Sequence, residues 1–319
     1  MLVLETNPSH RSEEKEALNY VRLELPIIQP VIVPPLEVVD LVRKVDVFRK
    51  PESIEDGCGT VYKLRDYSNN ELAIFKPEEP ENPRAPWNEL AAYLLDNGVA
   101  GVPATGLVNL PIANGDSITG KEKFGSIQEY LPETESAADY GTGVFNVDDV
   151  HRIGVLDIRI MNCDRHSGNM LFCEKTKRLV PIDHGLCFPS AFTEMGNASF
   201  DWLLFPQAKK PFSAETLAQI EAIDLERDLE VLHELGMCEE QLLTVLMSTT
   251  VLKLGARLGK TLYEIGTMVQ RQGDRQKPSV LEIMFSRTCD LFQDSELTCS
   301  WSVFEQVFAQ LVWNYQMCM

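Results

Sequence analysis

Between Gly57 and Leu131 the apolar positions fall in short runs, VYKL, LAIF, TGLV and SIQEYL, whose length and composition predict strands. One stretch among them, Trp87 to Asn97, has helical spacing and stops at Gly98, a residue suited to closing a helix. Further on the period changes. Val150, Ile153, Gly154 and Asp157 share a helical face and lead into a polar loop, DRHSGN. The runs NMLFC and RLVPI, joined by Glu174, Lys175, Thr176 and Lys177, predict a hairpin with Asp183 at its exit. Beyond Ser213 helical spacing continues to about Gln270, with Leu242, Leu246, Leu252, Leu258, Leu262 and Ile265 as core positions. Trp301, Phe304, Phe308, Leu311, Val312 and Tyr315 line one face of a last helix, expected to dock on the protein rather than enter a membrane.

This pattern predicts an α+β chain of two lobes. Residues 1–45, interrupted by Pro26, Pro30, Pro34 and Pro35, read as an extended arm. A small strand-rich lobe is expected over 46–132, a mainly helical lobe over 133–285, and a C-terminal helical extension over 286–319. A length of 319 residues suits two lobes with a cleft between them.

Charge narrows the partners. Lys+Arg 29 against Asp+Glu 48 gives a net charge of -19, which opposes unspecific binding to nucleic acid and restricts any membrane contact to a local, peripheral patch. The 8 cysteines are scattered along a chain without a secretory h-region, so reduced thiols and a cytoplasmic setting are expected. No apolar run reaches the roughly 18 to 20 residues of a spanning helix.

Phosphoryl transfer asks a protein to position reactants and neutralise spreading charge, which calls for metal-binding oxygens, a lysine on the phosphates and an aligned nucleophile. Asp164 and Asn169 have the spacing from base to metal-binding asparagine that protein kinases use. Asp164 would orient or deprotonate an acceptor hydroxyl, while Asn169 and Asp183 would hold Mg²⁺ on the ATP phosphates. Lys76, ending the run LAIFK, is placed to reach those phosphates, and Glu89 on the following helix to pair with it. Gly57, Cys58, Gly59 and Thr60 form a short glycine loop whose amides suit phosphate oxygens. Gln128, Glu129, Tyr130 and Leu131 fall where the lobes join and offer backbone groups to adenine. Cys163-x-x-His166 and His184-x-x-Cys187 make a rival, zinc-type set, which would leave Asp164, Asn169 and Asp183 without a use.

The strings HRIGVLDIRIMNCDRHSGNMLF, LVPIDHGLCFP and FDWLLFPQAKKPFS resemble the catalytic domain of plant-type gamma phosphatidylinositol 4-kinases, within the phosphatidylinositol 3-/4-kinase superfamily. AIFKPEEP, NELAAYLLD, SIQEYLPE and EIGTMVQR extend the likeness over roughly residues 50 to 285. The resemblance implies a two-lobed protein-kinase-like fold and ATP with Mg²⁺ as cofactors. It places the ATP lysine on Lys76, the catalytic aspartate on Asp164 and the metal ligands on Asn169 and Asp183. His166 would complete a D-R-H motif and assist transition-state charge or proton handling. The acceptor implied is the inositol 4-hydroxyl of phosphatidylinositol. A protein Ser/Thr acceptor, or a nucleotide-binding scaffold without turnover, are the alternatives.

Overall fold

Strand-forming and helical stretches separate in space much as they do along the chain. The computed structural model describes residues 3–4, 21–22, 35–46, 49, 51–56, 59–111, 122–273, 275–293 and 301–318. Near the N-terminus β1 (Val3–Leu4) and β2 (Val21–Arg22) form a two-stranded pair. Pro35 then opens α1 (Leu36–Lys44). This helix replaces the extended arm expected there, because Val38, Leu41, Val42 and Val45 recur at i, i+3, i+4 and i+7 and bury one stripe against the small-lobe sheet. The proline spacing was the weaker signal, and the arm does not run unbroken to residue 45.

That sheet has five antiparallel strands: β3 (Glu52–Asp56), β4 (Gly59–Arg65), β5 (Glu71–Pro77), β6 (Thr105–Pro111) and β7 (Glu122–Glu129), in the order β3-β4-β5-β7-β6. In β5, Ala73, Phe75 and Pro77 are buried, which leaves Ile74 and Lys76 on the other face, as two-residue alternation requires. Between β5 and β6 lies α2 (Ala85–Asp96), with Pro86 in its first turn and a left-handed Asn97 at its end. The Asp96 carboxylate receives the N–H groups of Ala100, Gly101 and Val102 at 2.6, 2.9 and 3.0 Å and turns the chain into β6.

The large lobe continues with β8 (Glu135–Ser136), α3 (Val147–Arg159), β9 (Met170–Cys173) and β10 (Arg178–Pro181), where β9 and β10 form the expected hairpin. Helices α4 (Ala214–Glu221), α5 (Leu225–Glu234), α6 (Glu239–Arg257), α7 (Leu262–Val269), α8 (Val280–Gln293) and α9 (Trp301–Cys318) complete it. Buried residues all round α6 mark it as the central helix. Helix α9 docks on α6 and α8 through Phe304, Phe308 and Val312, with Leu311 and Tyr315 partly covered; the Trp301 side chain lies outside the described residues. Burial on this scale contributes roughly 1.5–3 kcal/mol per large side chain. A boundary at 285/286 therefore does not exist in space, since α8 runs through it and α9 belongs to the main core.

Two apolar cores result. One holds the sheet and α1; the other holds the large-lobe helices together with Leu90, Ala91, Ala92 and Leu95 of α2. Although α2 sits in the small lobe by sequence, its apolar face is packed into the large one.

Candidate active site

Asp164 is held by groups reaching back into α3. Asn146 caps α3, its Oδ1 receiving the N–H groups of Asp148 and Asp149 at 2.8 and 3.4 Å, and Asp157 is buried near the helix's far end. The Asp157 carboxylate accepts Nε of Arg165 at 3.0 and 3.1 Å, Nδ2 of Asn162 at 2.9 Å and Nε1 of Trp202 at 3.0 Å. Arg165 and Asp157 are both 0% exposed. Nη1 of Arg165 donates to the carbonyls of Asn169 and, at 2.7 Å, Ile182. One guanidinium thus ties the loop Asp164–Asn169 to the residue preceding Asp183. Asn162 passes the order forward, its Oδ1 accepting the Asp164 N–H at 2.9 Å. A second tie comes from Asp201, whose Oδ2 accepts the N–H and hydroxyl of Ser167 at 2.8 and 3.1 Å.

Within this frame the Asp164 carboxyl stays partly exposed. Burial raises its pKa above the ordinary aspartate value, His166 opposes the rise, and the Asp183 charge adds to it. His166 Nδ1 accepts the Gly168 N–H at 3.0 Å, so the ring's N–H is the one at Nε2, 3.8 Å from Asp164 Oδ2. The two side chains are neighbours without a direct hydrogen bond.

Asp183 leaves β10 in a left-handed conformation, φ 57°, which aspartate tolerates better than most residues. Its Oδ1 lies 2.9 Å from Lys76 Nζ, and Glu89 Oε1 lies 2.6 Å from the same nitrogen. Burial would depress the Lys76 ammonium, yet the Glu89 and Asp183 carboxylates hold its pKa above the ordinary value. Burial would likewise raise Glu89, yet Lys76 and His184 hold it well below the carboxylate range. Oε2 of Glu89 accepts the His184 N–H at 3.1 Å, so one carboxylate links β5, α2 and the loop after Asp183. Asn88 strengthens that link, donating to the carbonyls of Gly185 and Cys187 at 3.0 and 2.9 Å. Gly185 has no room for a side chain without crowding, since a Cβ would stand 3.2 Å from Ala85 Cβ.

Two oxygens are left for a cation. Asn169 Nδ2 donates to the carbonyl and Oδ2 of Asp164 at 3.0 and 3.3 Å, which points its Oδ1 elsewhere. Among the described residues, Asn169 Oδ1 and Asp183 Oδ2 receive no hydrogen bond. Hard, uncommitted oxygens of this kind fit Mg²⁺. The zinc-type set fares differently. Cys163 donates to the Met161 carbonyl at 3.4 Å, and burial pushes its thiol up to about 12, with Glu194 and Asp164 adding to the rise. Burial also raises the Cys187 thiol well above its usual value.

The remaining candidates divide. Gly57 and Cys58 lie outside the described residues; Gly59 and Thr60 pair with Asp56 and Glu55 in the β3–β4 ladder that flanks them. Of the run 128–131, the Glu129 N–H is taken by the Ala104 carbonyl at 2.9 Å and the Tyr130 N–H by that of Leu72 at 3.0 Å. The expectation that the whole run offers backbone groups is thus too generous. Among the described residues the Leu131 N–H, beyond the ladder, has no partner. Sequence reasoning missed Asp157, Asn162, Arg165 and Asp201 as supports and Asn88 as a clamp. A helix-borne aspartate feeding a polar loop was the only signal available for the first.

Residues 85–256 match the family model described as phosphatidylinositol 3- and 4-kinase. Phosphatidylinositol 4-kinase gamma 6 of Arabidopsis thaliana is 36% identical over 297 residues, taking in 77% of this chain and 47% of that protein. Phosphatidylinositol 4-kinase gamma 4 of Oryza sativa subsp. japonica is 34% identical over 275 residues, or 73% of this chain and 47% of that one. The chain spans about half the length of these curated relatives. Among solved structures, the Helicobacter pylori proinflammatory kinase CtkA is a distant likeness, with a TM-score of 0.38 and 14% identity over 69% of this chain and 96% of that one.

Proposed function

This chain belongs to the phosphatidylinositol 3- and 4-kinase family, and from that premise we propose that it transfers the γ-phosphate of ATP to the inositol 4-hydroxyl of phosphatidylinositol. The observation that carries the proposal is the Lys76 ammonium, fixed between Glu89 and Asp183, with the second Asp183 oxygen accepting no hydrogen bond among the described residues. In this reading Lys76 binds the α- and β-phosphates as a point charge kept protonated by its two carboxylates. Asn169 and Asp183 would hold Mg²⁺, which would supply charge neutralisation at the phosphates. Asp164 accepts a hydrogen bond from the acceptor hydroxyl and takes its proton as the phosphoryl group moves. His166 stands beside Asp164 as a donor for the developing phosphoryl charge.

The acceptor reading rests on Leu186–Phe200, which follows the metal-side loop and contains no Lys or Arg. Extra phosphates on an inositol ring would lose hydration there, because the Arg271 guanidinium that lies against this segment at Gly196 is already held by Glu282, so unphosphorylated phosphatidylinositol fits best. A membrane edge is also at hand. Asp201–Leu204 is a short 3-10 turn tied to the catalytic loop through Asp201 and Ser167, and its Leu204 is 83% exposed near the exposed Lys209 and Lys210. A leucine and two lysines on a chain of charge -19 suit local, peripheral contact with an anionic bilayer. Trp202, in contrast, is buried on Asp157 and stacked on Phe200, and takes no part in that edge.

The test is incubation of the protein with radiolabelled ATP, Mg²⁺ and phosphatidylinositol vesicles, with a protein acceptor in parallel. Label in phosphatidylinositol 4-phosphate is expected. Label in the protein alone would move the acceptor to Ser/Thr, and label in neither would overturn phosphotransfer.

A further inference from the structure

Gln128 occupies a position that the phosphotransfer scheme does not use. In the β5–β7 register Lys76 stands opposite Ser126 and Ile74 opposite Gln128, so Gln128 shares the face of the sheet that carries Lys76, two residues nearer the lobe junction. On its other side it stands opposite Thr105 of β6. Its side chain, 7% exposed, is not free to turn. The Thr105 hydroxyl donates its proton to the Pro103 carbonyl at 2.7 Å, so towards Gln128 it can only accept, and it does so from Nε2 at 2.9 Å. Flipping the carboxamide would place two acceptors against each other. The orientation is therefore fixed, and Oε1 must point away from Thr105. Among the described residues Oε1 receives no hydrogen bond, yet it is not among the buried polar atoms sealed from solvent without a partner.

A fixed, accessible acceptor between the phosphate lysine and the unpartnered Leu131 N–H selects for a donor on the bound base. We infer that Gln128 Oε1 reads the exocyclic amine of adenine, with Thr105 as the positioning residue that holds the carboxamide in its reading orientation. This rests on the proposal that the cleft binds ATP. Guanine presents a carbonyl at the equivalent ring position, and its lone pairs would face those of Oε1. Purine riboside triphosphate presents only C–H there. The site is thus built to reject the first and to bind the second less tightly, because a buried acceptor left unpaired costs binding.

The experiment is a titration of the full chain, in Mg²⁺, with ATP, GTP and purine riboside triphosphate, for the wild type, Gln128→Met and Thr105→Val. Removal of the amine should weaken binding to the wild type by roughly fivefold or more, the effect of one hydrogen bond. The same removal should matter at least about threefold less in Gln128→Met, which keeps the volume and lacks the acceptor. Thr105→Val keeps Gln128 but frees its carboxamide, so the penalty against GTP should shrink as the amide turns its Nε2 to the guanine carbonyl. Thermal melting of each variant checks folding, and Thr105→Val carries the test if Gln128→Met does not fold. An equal response to amine removal in wild type and Gln128→Met, or unchanged rejection of GTP in Thr105→Val, overturns the assignment. Wild type that binds none of the three nucleotides overturns the proposed function itself, a result distinct from binding without discrimination.

Discussion

Two clusters of paired opposite charges flank the catalytic loop, and they are built for opposite ends. Arg165 and Asp157 are wholly buried, and two of the three side chains that donate to the Asp157 carboxylate, those of Arg165 and Asn162, hold the loop Asp164–Asn169. Lys76 is 25% exposed, with Glu89 at 2% and Asp183 at 41%. In the first cluster no member reaches solvent, so its charges are spent on shape. In the second the burial is graded, and each group turned toward the cleft keeps a face for a ligand. Sealing a charge pair makes it structural, and leaving one side open makes it usable.

The sharpest way to break the comparison is at the residue both clusters serve. Asp164→Ala should lower turnover by about 10³-fold or more while nucleotide affinity stays within a factor of a few, as measured by kcat and by ATP titration. Retained turnover would remove Asp164 from the site. Next comes Arg165→Met, which strands the Asp157 carboxylate in the core. It should cost about 3–5 kcal/mol in denaturant unfolding, well beyond any effect on ATP affinity in the protein that stays folded. Lys76→Met should reverse that ranking, losing on the order of 10²-fold in turnover with less than about 2 kcal/mol in stability, because Glu89 keeps the His184 N–H and can take up a proton. Equal stability losses in the two variants would erase the distinction between sealed and open pairs.

The smallest effect concerns pH. The Asp164 pKa is raised, so its base form is lost as pH falls through a value above the ordinary aspartate range, about 4. An acid limb of kcat/KM centred above that value is expected, and it should be absent from the residual activity of Asp164→Asn. A limb that persists unchanged in Asp164→Asn assigns it to another group.

Much of this site was legible in the sequence because its parts lie on strongly patterned segments. The hairpin NMLFC–RLVPI and the helix before DRHSGN left few places for Asp164, Asn169 and Asp183, and LAIFK placed Lys76 on a strand end. What stayed hidden depends on the third dimension. Nothing in the run of letters tells Asp157, a buried anchor, from an exposed helical aspartate, or Asn88 from a surface polar residue beside Glu89. Leu36–Lys44 was obscured by the prolines before it, whose local signal outweighed a short apolar stripe. Tyr130 and Glu129 looked available as backbone donors because strand pairing between distant segments cannot be read from order alone.

Helix α2 leads to a mechanical consequence. Its apolar residues are packed in the large-lobe core, Asn88 grips the carbonyls of Gly185 and Cys187, and Arg159 of α3 donates to the Leu95 carbonyl at 3.1 Å. Helix α2 is therefore the bridge between the lobes, with its apolar side in the large-lobe core while it also packs on β6 and β7, where Trp87 meets Phe124. Lys76 lies on the sheet and Glu89 on this bridging helix, so their contact fastens the one to the other. Any displacement of β5 against α2 would break that contact and leave the Lys76 ammonium with Asp183 alone, so the charge environment of this lysine depends on how the sheet sits on the helix.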